Sequence, residues 1–105
     1  MPDSATTIVG FDQLLQAPAR LQVMAVLVQA QQAEFARLKE LTGTSDSVMS
    51  KHLSALADAE LIKLTKATAD GRQRTWASVT RTGRKVFQNH VAALQRIITG
   101  TSDPI

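Results

Sequence analysis

A mainly α fold carrying a two-stranded β hairpin, an α+β chain of order α-α-α-α-β-β-α, is what this sequence predicts. Three observations predict it. Apolar residues recur at helical spacing up to residue 59 and again after residue 80. Between these stretches the period shortens to that of strands. Inside that change lies Asp70-Gly71, a strong two-residue hairpin signal. With 105 residues, 44% of them apolar and 20% charged, the chain has room for one folded domain.

The elements follow in order. Residues 1–7 are small and polar and are expected to fray. Ile8, Phe11, Leu14 and Leu15 predict a short first helix, ended by Ala17-Pro18 because a residue before proline avoids the α region. Pro18 can itself open a second helix, whose apolar face is Leu21, Met24, Ala25, Leu27 and Val28. Phe35, Leu38 and Leu41 mark a third helix over about residues 33–41, stopped by Gly43. Thr44 or Ser45 caps a fourth, running to about Ala59. Three helices with a tight glycine turn before the last make a helix-turn-helix pattern. Strands are expected over residues 61–66 and 74–80, with residues 67–73 between them. A last helix starts near Thr80 or Thr82, carries Val86, Val91, Leu94, Ile97 and Ile98 as an apolar stripe with Phe87 at its edge, and stops at Gly100. The folded domain thus spans residues 8–99, with a flexible tail over 100–105.

Composition excludes several chemistries. The chain has no cysteine, so disulfides, thiolate metal sites and a cysteine nucleophile are ruled out together. Two histidines with no ligand spacing predict no metal, and no cofactor is expected. Neither a nucleophile–base pair nor a phosphate-binding glycine loop stands out, so no catalytic residue is named and an enzyme is not expected. No apolar run approaches the roughly 20 residues that span a bilayer. Met1-Pro2-Asp3-Ser4 also lacks the basic and apolar regions of a secretory signal, which predicts a cytoplasmic location without membrane contact.

Charge is segregated. Residues 1–60 carry four basic against seven acidic side chains, whereas residues 61–85 carry seven basic (Lys63, Lys66, Arg72, Arg74, Arg81, Arg84, Lys85) against Asp70 alone. Such clustering is the footprint of a polyanion binder, although a merely solvated basic surface reads the same way. On a helix, residues 45–59 place Val48, His52, Ala55, Leu56 and Ala59 on one side, with Met49 and Leu53 at its flank. Ser47, Ser50, Lys51, Ser54 and Ala57 lie on the other. That outward face is short and polar, as a helix entering a major groove about 12 Å wide requires. An ordinary surface helix would also satisfy the pattern. The hairpin adds Arg72 and Arg74 near its tip, where arginine can be held by the negative potential of a minor groove. Edge strands carry such charges against aggregation as well.

Together these residues resemble a known family. Phe35-x-x-Leu38 followed by Thr44-Ser45-Asp46-Ser47-Val48-Met49-Ser50-Lys51-His52-Leu53-Ser54-Ala55-Leu56 is similar to the helix-turn-helix of MarR- and ArsR-type transcriptional regulators. Gly71-Arg72-x-Arg74-Thr75 resembles their wing, and Val79-Thr80-x-Thr82-Gly83-Arg84 their strand-to-helix junction. The resemblance covers residues 11–98 and points to compact, stand-alone winged-helix regulators, generally prokaryotic and dimeric. It implies a sequence-specific binder of double-stranded DNA with its recognition helix at 44–58 and its wing at 67–74. Ser45, Ser47, Ser50, Lys51 and Ser54 would then face DNA, with Arg72 and Arg74 as wing contacts. A small-molecule effector could sit between the dimer helices and the DNA-reading lobe; no residues identify one. Two departures stand out. The cysteine motif of metal-sensing ArsR repressors is absent, and Glu60 occupies the place of the family's usual glycine before Leu61.

The last helix has more apolar surface than a small core requires. It is expected to pair with the first helix in an isologous homodimer interface of Phe11, Leu14, Leu15, Val91, Leu94 and Ile98, unless the stripe simply caps its own domain. Trp76 is expected to pack on the last helix or a partner rather than to stack on DNA. His52 is expected to be partly buried and His90 to lie near the interface, where a packed histidine or a pH-sensitive one would fit. Met24 and Met49 are expected as core fillers. The competing function is a winged-helix module that binds an acidic protein partner through its basic wing.

Overall fold

The computed structural model of the chain describes residues 9–100. The expected frayed start over 1–7 and the tail beyond Gly100 lie outside the described residues. A 3-10 turn, Gln13–Gln16, leads into α1 (Pro18–Ala30), and Pro18 does open that helix. There follow β1 (Gln32–Glu34), α2 (Phe35–Thr42), α3 (Asp46–Asp58), β2 (Ile62–Ala69), β3 (Arg72–Val79) and α4 (Arg81–Thr99). The strands form one antiparallel sheet in the order β1-β3-β2. The core lies between α1, α2, α3 and the inner sheet face. It consists of Leu15, Val23, Met24, Leu27, Leu38, Met49, Leu53, Leu56, Leu61, Ile62 and Ala77, all but sealed from solvent. Both methionines fill it as expected.

Three features depart from the predicted order. The first helix is only a 3-10 turn. Asp12 Oδ1 accepts the Leu14 N–H at 2.8 Å, and Ala17 before Pro18 is extended, so too few residues remain to propagate an α-helix. Residues 32–34 form a strand instead of opening the third helix. Ala33 is buried there opposite Ala77, held by pairing with a segment more than 40 residues away that no local period reveals. The hairpin is also longer than expected. Its strands continue to Ala69 and from Arg72, leaving only Asp70 (φ 52°) and Gly71 (φ 75°) as the turn. Positive φ at both positions is what a type I′ turn demands, and the Asp-Gly pair suits it.

The turn after α3 explains Glu60. Leu61 N–H bonds Leu56 C=O at 3.0 Å and Glu60 N–H bonds Ala57 C=O at 2.9 Å, a Schellman closure with Glu60 in the left-handed region at φ 64°. This turn is made with a residue that has a Cβ to strain. Glu60→Gly is therefore expected to raise stability by about 0.5–1 kcal/mol, the strain relieved less the added freedom of the unfolded chain. Urea denaturation checks it; a lower midpoint would mean that the glutamate side chain contributes something the turn geometry does not.

The junction into α4 is similarly tight. Thr80 Oγ1 accepts the Gly83 N–H at 2.8 Å and lies 2.7 Å from Glu60 O and 3.0 Å from Leu61 O, within reach of donating to either carbonyl. At the start of the described chain, residues 9–12 lie along α4. Arg96 Nη2 donates to Val9 O at 2.7 Å, Asp12 N–H donates to His90 Nδ1 at 2.9 Å, and Phe11 stacks on the His90 ring at 4.6 Å between centroids.

Candidate nucleic-acid interface

α2 and α3 are joined by three residues, Gly43, Thr44 and Ser45. Ser45 caps α3 by accepting the Val48 N–H at 3.2 Å, and an ion pair between Lys39 and Asp46 ties the two helices across the turn. α3 seats Met49, Leu53 and Leu56 in the core. The buried face is thus rotated from the one read in the sequence. Val48 and Ala59, expected inward, are exposed, and Ala57, expected outward, is half-buried against the core. The reason is that Met49 and Leu53 offer longer apolar side chains than Val48 and Ala55, and the helix turns to bury them.

The five residues assigned to the groove face, Ser45, Ser47, Ser50, Lys51 and Ser54, are all exposed. Ser50 and Ser54 also line a cavity of about 330 Å³ with Phe35, Leu53, Leu64, Lys66 and Thr75, which lies between α3 and the inner face of the wing. Lys66 is a cation that sequence reasoning left out of the site. Alternation along β2 puts it on the face of Leu64, and register pairs it with Thr75, so strand period plus a correct hairpin register would have found it.

The two wing arginines part company. Arg72 is exposed beside the turn, paired in register with Ala69. Arg74 is half-buried at the foot of the wing, where Nη1 meets Glu34 Oε2 at 2.7 Å. Both line a second cavity of about 300 Å³ with Glu34, Phe35, Ala36, Gln73 and Thr75. Arg84 is likewise engaged, donating to Val28 O at 3.0 Å and to the Gln31 side chain. That leaves Lys63, Lys66, Arg72, Arg81 and Lys85 as the exposed cations of the basic stretch.

Trp76 is half-buried on the outer sheet face, in register with Glu34 and Thr65. His52 is half-buried; burial first, then the positive charge of Arg20, pushes its pKa down. His90 is fully buried by its own chain, with Nε2 unpartnered. Burial lowers its pKa and the Asp12 carboxylate partly opposes the shift. Of the residues expected at a homodimer interface, Leu15 is corrected: it lies wholly in the core of its own chain and has no surface to offer. Phe11, Leu14, Val91 and Leu94 are half-buried and Ile98 is 77% exposed, with Ile97 and Val9 exposed nearby. Among the described residues, no cluster of His, Asp or Glu stands ready to hold a metal, and no helix is long and apolar enough to cross a membrane.

Known proteins share this arrangement. A transcriptional regulator homologue from Pyrococcus horikoshii superposes with a TM-score of 0.79 at 26% identity, over 85% of this chain and 88% of that one. A zinc-responsive MarR family member, ZitR of Lactococcus lactis, gives a TM-score of 0.60 at 28% identity, over 79% of this chain and 56% of its own. An uncharacterised protein of Methanocaldococcus jannaschii is 27% identical over 79 residues, covering 75% of this chain and 86% of that protein. The likeness to MarR-type regulators is therefore structural as well as motif-based. Residues 19–98 match the winged helix DNA-binding domain family, and the chain belongs to that family, a regulator-like and non-enzymatic one.

Proposed function

We propose that this protein is a sequence-specific transcriptional regulator that binds double-stranded DNA as a homodimer. α3 enters the major groove and the wing lies at the minor groove. The observation that carries the reading is the exposed face of Ser47, Ser50, Lys51 and Ser54. It is free of bulky side chains and stands beside a basic ribbon across a cleft holding Lys66. Serines and Lys51 reach phosphates or base edges, Lys66 a phosphate between the two grooves, and Arg72 the minor-groove potential. Arg74, paired with Glu34, sets the foot of the wing. For the dimer, the support is the apolar surface that Ile97 and Ile98 leave uncovered at the end of α4, continuous along the helix with Val91 and Leu94.

Selection from random-sequence duplex DNA tests the whole reading. Enriched palindromes with half-sites about one helical turn apart are expected. No enrichment overturns it in favour of a protein-binding module. Each substitution removes one contact from each protomer of the dimer, so Arg72→Ala and Lys66→Ala should each reduce the slope of log K against log salt by about 1.8, two phosphate-equivalents apiece. Arg74→Ala should change that slope less, because Glu34 already neutralises the guanidinium. Titrations at four salt concentrations distinguish the three, and an unchanged slope for Arg72→Ala removes the wing from the interface.

A further inference from the structure

We infer that Val48 reads the 5-methyl group of a thymine in each half-site; the inference rests on the DNA-binding reading above. Val48 sits in the first turn of α3, three residues beyond its Ser45 cap, and is 42% exposed although apolar. The rotation of α3 that buries Met49 and Leu53 puts it outside the core, on the rim of the groove face. Ser50 and Ser54 occupy the opposite rim, beside Lys66. α3 thus has one polar flank facing the wing and one flank of Val48, His52 and Ala55 facing away from it.

The rest of the face is poor in readers. Among the exposed residues of α3, no Arg, Asn or Gln is available for a bidentate contact with guanine or adenine. Serine bonds to either base type and discriminates weakly, and Lys51 is a single flexible cation. A helix so equipped needs another source of discrimination. The major-groove edge offers one apolar feature, the thymine methyl, which apolar side chains recognise by contact. The first turn of a recognition helix is also the part that reaches the base edges. Val48 and Lys51 are three residues, or about 4.5 Å of helix, apart. The thymine therefore lies within one or two base pairs of the base or phosphate that Lys51 meets.

The test uses the full-length protein and its selected site, with each thymine in turn replaced by deoxyuridine, which lacks only the methyl. In the wild type one position per half-site should weaken binding about four-fold when substituted, the worth of one buried methyl. Val48→Ala should bind the thymine and uracil versions of that position equally, at the wild type's affinity for the site carrying uracil in both half-sites. Circular dichroism shows whether the variant is folded, and Val48→Ser provides a second removal of the apolar tip. A selected site with no uracil-sensitive thymine overturns the inference while leaving the DNA-binding reading intact. So does sensitivity that persists undiminished in both variants. Failure of any duplex to be enriched overturns both.

Discussion

Gly83→Ala is expected to cost about 3 kcal/mol or more, a large part of the margin of a domain this size. A Cβ at this position would overlap the carbonyl oxygen of Leu61 and stand 2.8 Å from its carbon. Neither atom can retreat, because Leu61 C=O accepts the Thr80 N–H at 3.1 Å and its own N–H closes the turn after α3. Helix propensity alone argues the other way, since alanine is favoured over glycine within a helix by about 1 kcal/mol. The sign of the measured change therefore decides which effect rules. A urea midpoint at or above the wild-type value would mean that α4 does not press on Leu61 as described. Thr82→Ala, on an exposed position of the same turn, is the matched control.

Acid should weaken the domain before its carboxylates titrate, and His90 should be the main cause. Its Nδ1 accepts the Asp12 N–H, so the neutral ring carries its proton on Nε2. Charging the ring would place a second proton against that N–H, breaking the bond inside a fully buried site. The folded-state pKa is therefore depressed below the ordinary value near 6.5, with the Asp12 carboxylate only partly offsetting the effect. As pH falls below about 6.5 the unfolded chain takes up a proton that the folded chain refuses, and stability declines. The decline ends once pH drops below the folded-state value. Its slope is at most about 1.4 kcal/mol per pH unit for His90, with His52 adding in the same direction. Denaturation between pH 7.5 and 5 measures it. His90→Asn keeps an acceptor near the Nδ1 position and should show a shallower slope, though it is less stable at neutral pH for want of the Phe11 stack. An unchanged slope would show that the ring charges freely.

Local chemistry made much of this molecule legible. The Ser45 cap, the Asp70-Gly71 turn and the Thr80-x-x-Gly83 junction each use residue types whose geometry is set within a few positions. What escaped was non-local. β1 exists because Ala33 finds Ala77, Arg74 is tied to Glu34 forty residues away, and His90 is covered by Phe11 and Asp12, whose partner lies 78 residues along the chain. The roll of α3 escaped for a different reason. Seven apolar or neutral positions could share its inner face, and only packing against α1, α2 and the sheet decides which of them wins. Consequently Val48 moved outward, whereas the Glu34 pair withdrew Arg74 and the hairpin register brought Lys66 into the cleft.

β1 hydrogen-bonds β3 only between Trp76 and Ser78. Beyond Arg74 the hairpin runs on to the turn at Asp70-Gly71 as a bare ribbon, an overhang of about 10 Å. Mechanically this is a cantilever, clamped at its root by β1 and the Glu34–Arg74 pair and unsupported along its length. Two strands alone are only marginally stable, so the free end bends on thermal energy. In the proposed complex, grooves of different width would meet a tip that follows them, while the root, and with it the placement of α3, would stay still. Affinity pays for that tolerance in the motion the ribbon gives up on contact.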